Sequence, residues 1–281
     1  MQKNKMHTPV LLKEVIDGLS IEAGAKYIDA TVGEGGHASH IADLGAKVLC
    51  LDRDKDQIDK LNKKYNSPNM IFVQANFADL EKVARKHDFD RVKGALFDLG
   101  LSWTQLITKG KGLSYRNTQD PLDMRLTNDT DMTAELILNT YSAEQLYDIF
   151  SRNSEEIRAY EIAENIVYRR KSKKFKTVAD LNGTIYKVMG SNAGKTYNRI
   201  FQALRIEIND EFENLKKGLE AAISVIVPGG KLAVISFHSL EDRIVKQFMK
   251  KMDKKQTTKN AIRGDRTLSF ESSARLRVFL I

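Results

Sequence analysis

An apolar strand that runs straight into a glycine-rich turn is the feature that most constrains this chain. Lys26-Tyr-Ile-Asp-Ala-Thr-Val-Gly-Glu-Gly-Gly-His37 is that passage. Residues 38–44 then read as a helix, and Lys47-Val-Leu-Cys-Leu-Asp52 as a second apolar strand ending in an acid. A helix with Ile58 and Leu61, a third strand at Met70–Val73 and a helix from Leu80 to Arg85 follow. A fourth strand, Gly94-Ala-Leu-Phe-Asp98, again ends in an acid. Short apolar strands alternating with helices predict βαβ units and a parallel sheet. Open sheets of that kind bind ligands at the carboxyl ends of their strands, near the switch point. Asp29, Asp52 and Asp98 are therefore expected around one site.

The glycine turn narrows the ligand. It is not GxGxxG, which disfavours a dinucleotide, and no GxxxxGK[ST] occurs, which disfavours a P-loop nucleotidase. Asp52 lies nineteen residues beyond Gly33, where an acid can accept both hydroxyls of a ribose. Phe77 follows the third strand and can cover an adenine face. Asp29-x-x-x-Gly33-x-Gly35 with Asp52 suits S-adenosylmethionine, which has a ribose, an adenine and a charged methionine but no pyrophosphate.

The alternation stops after the fourth strand. From about Gly112 to Arg205 no convincing strand is legible, and Ser142-Ala-Glu-Gln145 and Thr177-Val-Ala-Asp180 read as capping boxes. Ser154 is expected to precede a helix with Ile157, Ile162 and Ile166. The expectation is an α/β chain with an inserted all-helical domain over 112–205, between 1–111 and 206–281 of the sheet domain. One long helix is expected to carry Ile200, Phe201, Leu204, Ile208, Phe212, Leu215, Leu219 and Ile223 on a single stripe, ending at Pro228-Gly-Gly. Lys231–Phe237 reads as a fifth strand, Leu240 to Phe248 as a helix, and Leu276–Ile281 as a terminal edge strand. Thr8-Pro9 is expected to open the first helix.

Composition excludes several classes. One cysteine, Cys50, rules out a disulfide framework and any cysteine-based zinc cluster, and fits a reducing, cytoplasmic compartment. Five scattered histidines give no metal-ligand spacing, so no metal is expected. No apolar run is long enough for a transmembrane helix, and the first residues lack the apolar stretch of a secretory signal. The formal charge of +8 suits a polyanionic partner, and its distribution says more. Residues 112–168 carry −7, residues 169–205 carry +9 and residues 246–267 carry +6. The densest run is Arg169-Arg170-Lys171-Ser172-Lys173-Lys174. Two separate basic segments point to a phosphate-binding surface.

The ordered motifs His7-Thr-Pro-Val-Leu-Leu, Asp29-Ala-Thr-Val-Gly-Glu-Gly-Gly-His, Leu51-Asp-Arg-Asp and Asp98-Leu-Gly-Leu-Ser are distinctive. So are Asp120-Pro-Leu-Asp-Met-Arg125, Phe201-Gln-Ala-Leu-Arg-Ile206 and Ile235-Ser-Phe-His-Ser-Leu-Glu-Asp-Arg. Together they closely resemble the bacterial 16S ribosomal RNA cytosine-N4 methyltransferases known as RsmH or MraW. The resemblance implies a class I (Rossmann-like) methyltransferase sheet with a helical substrate domain. It implies S-adenosylmethionine held by Gly35, Gly36, His37, Asp52, Phe77, Asp98 and Gln105, to which the glycine-loop reading adds Gly33. It implies methylation of a cytidine in the decoding centre, with 16S rRNA in a partly or fully assembled small subunit as partner, no membrane, and a homodimer as one arrangement. The chain departs from the family at Glu34 in the glycine loop and at Trp103-Thr104, and its C-terminal region is shorter.

Asp98 and His238 are the catalytic candidates: Asp98 as an acceptor beside the target amine or the cofactor, His238 as a contact to the nucleotide or a turn-stabilising group. His37 reads as loop-orienting. Trp103, Arg116, Arg125, Arg169, Arg170, Lys171, Lys173, Lys174, Arg205 and Arg243 are the RNA-binding candidates, with Trp103 equally suited to stacking or to a core. Two alternatives stay open: an amino-methyltransferase acting on DNA or another RNA, and a non-catalytic RNA-binding assembly factor with a vestigial cofactor fold.

Overall fold

The computed structural model describes residues 9–100, 110–265, 267 and 271–281. The chain divides into two compact units, Met1–Gly100 with Phe212–Ile281, and Leu101–Glu211. In the first, α1 (Leu12–Leu19), β1 (Lys26–Asp29), α2 (Gly36–Asp43), β2 (Lys47–Asp52), α3 (Lys55–Lys64), β3 (Met70–Gln74), α4 (Leu80–Lys86) and β4 (Val92–Asp98) follow one another. Helix α1 starts at Leu12 rather than at Pro9. Leu11 adopts a left-handed conformation (φ 52°), and its N–H is taken by the Glu271 carboxylate at 3.2 Å. Thr8 lies outside the described residues.

The second unit is helical: α5 (Ala134–Thr140), α6 (Ala143–Ser154), α7 (Ala159–Arg169), α8 (Val178–Met189) and α9 (Ala193–Ile208). Among its described residues the only β pairing is a bridge between Pro121 and Thr177. Thr133 caps α5, and Ser142 with Gln145 forms a capping box on α6. At α8, Thr177 N and Oγ1 both donate to Asp180 Oδ2. Ile137, Phe150, Ile162, Ile166, Phe175, Leu181 and Ile200 fill the core of this unit. Ser154 closes α6 instead of opening the next helix. The left-handed Glu155 (φ 52°) ends α6, and Ile157 falls in the connection, 89% exposed.

The single stripe expected from Ile200 to Ile223 is two helices. The chain breaks at Asn209–Asp210, where Asp210 has φ 49°, and α10 (Glu211–Val225) begins. Asn209 explains the break: its side chain accepts from Leu126 N at 2.8 Å and donates to Met124 O and Arg205 O. Ile200, Phe201, Leu204 and Ile208 pack in the helical core, while Leu215 and Leu219 pack on the sheet. After α10 come β5 (Ile226–Ser236), α11 (Ser239–Lys251), β6 (Lys255–Gln256), β7 (Ile262–Arg263) and β8 (Arg275–Leu280). Strand β5 starts before Pro228, so the proline lies inside it rather than before it.

The strands order as β3-β2-β1-β4-β5-β8-β6, with β7 also paired to β8. The first five are parallel, and β8 runs antiparallel to β5. Strand β8 is therefore not at an edge: β5 flanks it on one side, β6 and β7 on the other. Residues alternate between faces, as pleating requires. Ile28, Leu49, Leu51 and Phe97 meet α4, α10 and α11, while Tyr27, Val48, Cys50 and Leu96 meet α1, α2 and α3. The strand order reverses between β1 and β4, so their carboxyl ends flank the switch point.

Candidate cofactor and methyl-transfer site

Three carboxylates stand at strand ends: Asp29 on β1, Asp52 on β2 and Asp98 on β4. Asp29 is buried beneath the glycine loop and accepts from Thr31 N at 3.2 Å and from the Ala38 amide in the first turn of α2. Burial, reinforced by Asp98 and Asp52, pushes its carboxyl up to about 7. Asp52 Oδ2 accepts from Gly33 N at 3.2 Å and Oδ1 from Asp54 N at 2.9 Å, so one carboxylate holds the loops after β1 and β2 together. Gln57 adds a hydrogen bond to Gly33 O at 2.7 Å.

The glycines are required by packing. Gly35 has φ +83°, and a Cβ there would lie 2.9 Å from Tyr65 Cε2; one at Gly36 would lie 2.4 Å from Pro9 Cγ. His37, buried, places Nε2 at 2.9 Å from Val10 O. A carbonyl only accepts, so Nε2 carries the proton and Nδ1 is left as an acceptor. Burial holds the imidazole neutral, its pKa lowered to about 4.

His37 Nδ1 lies 3.8 Å from Asp98 Oδ2. Asp98 N donates to Thr31 Oγ1 at 2.6 Å, which ties the end of β4 to the loop after β1. Its Oδ1 is buried and makes no hydrogen bond among the described residues, although 22% of the side chain surface stays open. Burial and the Glu241 carboxylate raise Asp98 to about 7. An unmet carboxylate oxygen beside a neutral imidazole acceptor is a place for an N–H donor. Asp52, whose carboxylate ends β2, is a place for hydroxyls. Those are the demands of S-adenosylmethionine, and the residues present fit it.

Phe77 opens a short 3₁₀ turn capped by Asn76. Its ring already packs edge-on against Phe97 at 5.6 Å and against Gly218, so it belongs to the sheet core as well as to the strand end. His238 is the N-cap of α11: Nδ1 accepts from Glu241 N at 3.3 Å, while Glu241 Oε2 takes Phe237 N and His238 N. Its Nε2 is 3.0 Å from Glu241 Oε1 but makes no hydrogen bond of acceptable geometry. These bonds are the turn-stabilising contact expected of His238. Trp103 and Gln105 lie outside the described residues.

The basic residues divide by what they already hold. Arg169 donates to Asp180 O and Oδ1 at 2.8 Å, and Lys173 pairs with the same carboxylate at 3.1 Å. Arg170 donates to the carbonyls of Leu138 and Tyr141. Arg125 forks onto Asp123 and reaches Thr130 O, and Arg205 forks onto Glu211. These arginines stitch the helical unit together, because a buried or half-buried guanidinium needs its donors met. Lys171 and Lys174 are exposed and form no ion pair among the described residues, and Arg116 is exposed with its guanidinium 5.8 Å over Tyr115. Arg243 is exposed on α11.

Asp29 is expected at the site from the sequence, but Thr31, Gln57 and Glu241 are not singled out there. Thr31 and Gln57 act on Asp98 N and Gly33 O, 67 and 24 residues away, contacts that only the fold creates. Glu241 acts within four residues, as the partner of a capping box.

A parallel sheet with this strand order, an acid-ended β2 and β4 and a glycine turn after β1 defines an S-adenosylmethionine-dependent methyltransferase of class I. A family model described as the MraW methylase family matches residues 4–270. The chain belongs to that family. The ribosomal RNA small subunit methyltransferase H of Carboxydothermus hydrogenoformans is 40% identical over 251 residues, 87% of this chain and 80% of the relative. The protein of the same name from Thermomicrobium roseum is 40% identical over 253 residues, 87% of this chain and 77% of its own. Among solved structures, a rRNA methylase from Streptococcus thermophilus covers 98% of both chains at 10% identity, with a TM-score of 0.47. Membership in a methylase family sets aside the reading as a non-catalytic assembly factor.

Proposed function

We propose that this chain transfers a methyl group from S-adenosylmethionine to the exocyclic N4 of one cytidine in the P-site region of 16S rRNA, within a partly or fully assembled small subunit. The relatives' names support small-subunit ribosomal RNA as the substrate. The observation that carries the chemistry is the unpartnered Asp98 Oδ1 at the switch point. The helical unit would hold the RNA, with Lys171, Lys174 and Arg116 open to phosphates. A cytoplasmic setting agrees with the lone buried cysteine, and no described helix is long and apolar enough to cross a membrane.

The cofactor supplies an already activated methyl group, so positioning can carry much of the rate. Asp52 would take the ribose hydroxyls, and the loop at Gly33–His37 would lie along the methionine. The target amine is delocalised into its ring. An N–H bond donated to Asp98 would pull the nitrogen toward tetrahedral geometry and aim its lone pair. The amine becomes acidic only after methylation, and Asp98, with a carboxyl that titrates near neutrality, is placed to receive the proton at Oδ1. Neutral His37 keeps that carboxylate from being locked into an ion pair.

The test is transfer from labelled cofactor to small subunits lacking the mark, followed by nucleoside analysis. Label in N4-methylcytidine at one position is expected. Label on another base, or on naked RNA alone, would overturn the substrate assignment.

A further inference from the structure

The last strands of the sheet carry an arrangement that sheet stability alone disfavours. In the β7–β8 pair, Arg263 stands directly opposite Arg275. Arg277, two residues further along β8, projects from the same face. Like charges directly opposite one another destabilise a strand pair. Of these three guanidinium groups, only Arg275 and Arg277 reach a carboxylate, and it is the same one, Asp242 in the first turn of α11.

That carboxylate is largely spent on one of them. Arg277 forks onto it, Nε at 2.7 Å from Oδ1 and Nη2 at 3.0 Å from Oδ2, and turns Nη1 to Gln256 at 2.7 Å. Arg275 reaches the same carboxylate only at 3.4 Å and keeps 39% of its side chain exposed. Arg263 is exposed and makes no ion pair among the described residues. The neighbouring acids face elsewhere: Glu271 accepts from Leu11 N and Asp265 N, and Asp265 accepts from Thr267. One carboxylate cannot neutralise three guanidinium groups, so the cluster of Arg263, Arg275 and Arg277 keeps a net positive charge.

Between them is a space. Asp242, Asn260, Ala261, Arg263, Arg275 and Arg277 line a cavity of about 360 Å³ that includes none of the cofactor residues. Two open guanidinium groups and an amide side chain around such a cavity match a tetrahedral, doubly acceptor-rich anion, since guanidinium forks bind phosphate oxygens in pairs.

We infer that this cavity is a phosphate site, with Arg263 and Arg275 as its ligands and Asn260 at its rim, and that it grips the backbone of the RNA substrate. The choice of RNA over a free phosphate ester rests on the proposed function. The basic segment 246–267, at +6, gives the surrounding surface the sign that draws a polyanion. Asp242 is the positioning residue: by holding Arg277 and touching Arg275 it fixes both guanidinium planes on the wall of the cavity.

The test uses the full chain and R263Q, whose residue is exposed and outside the core, with R275K as the conservative second variant. Anisotropy of a labelled single-stranded RNA read against potassium chloride is expected to lose about 0.7 units of salt slope in R263Q, with binding roughly three- to fivefold weaker at moderate salt. S-adenosylmethionine affinity should not change. Millimolar inorganic phosphate should raise the melting temperature of the wild type and not that of R263Q. Phosphate stabilisation lost in R263Q with an unchanged salt slope would retain the site and assign it to a free phosphate ester. An unchanged slope together with unchanged phosphate stabilisation would overturn the site, even if the chain methylates small-subunit RNA. A chain that methylates no such RNA but shows both losses would keep the site and lose the substrate reading.

Discussion

Asp98 is the residue on which most of the chemistry converges. Asp98→Asn is nearly isosteric, and the fold should survive it. If the carboxylate acts on the target amine, single-turnover methylation should fall about 10²-fold, about 2.7 kcal/mol at the transition state, with cofactor affinity much less changed. Near-wild-type turnover at saturating cofactor would instead leave Asp98 as a binding residue. Asp52→Ala should weaken S-adenosylmethionine by about 1.5–3 kcal/mol, the range for hydrogen bonds to a charged group, measurable by calorimetry.

The raised carboxyls make cofactor binding pH-dependent. Asp98 and Asp29 sit near 7 in the free protein, surrounded by Asp52, Glu241 and the neutral His37. A cationic ligand favours their ionised forms, so binding should expel protons. Affinity should weaken as pH falls below 7, by up to about tenfold per unit for each proton expelled, and level off above about 8. The same groups act on stability with the opposite slope. They are ionised in the unfolded chain above about 4 but not in the folded one until about 7, so the cofactor-free protein loses stability across that window as pH rises. Calorimetry in buffers of different ionisation enthalpy should show proton release, diminished in Asp98→Asn. A flat affinity from pH 5.5 to 8 would contradict the placement of these carboxyls.

At the scale of elements, Asp180 joins the end of α7 to the start of α8. It accepts from Lys176 N and Thr177 N and holds Arg169 and Lys173, which together keep its carboxyl well below the usual range. Asp180→Ala should remove a cap and strand a half-buried arginine, costing about 3 kcal/mol by denaturant titration. The depressed carboxyl contributes stability above pH 4, and that contribution should fade only as the medium becomes strongly acid. This capping box was legible because its partners lie within four residues. The break between α9 and α10 was not. The apolar stripe continues across it, and the bonds that end α9 come from Leu126 and Met124, 83 and 85 residues away from Asn209. Ile157 misled for a related reason. Its spacing is helical, but the left-handed Glu155 ends α6 and leaves it in the connection.

At the scale of the whole molecule, the basic surplus separates into charges that hold the fold and charges left for a partner. Replacing Lys171 and Lys174 by Gln should reduce the salt slope of RNA binding by about 1.4 units and leave the melting temperature alone. Arg169→Gln should instead lower the melting temperature, because its donors are engaged with Asp180. Equal slopes for wild type and the double lysine variant would mean that this run is only solvated.

The order of strands and helices, the acids that end β2 and β4, the glycine turn between β1 and α2 and the helical nature of the middle of the chain were all present in the sequence. Each is written in local periodicity, capping and turn chemistry, which act over a few residues. The tertiary structure alone decided that one apolar stripe serves two cores and that β8 lies inside the sheet. It alone decided which arginines of the basic run are taken. It also left Asp98 with an unmet oxygen beside a neutral histidine. These outcomes depend on which distant groups compete for the same donor or acceptor, and only folding brings those competitors together.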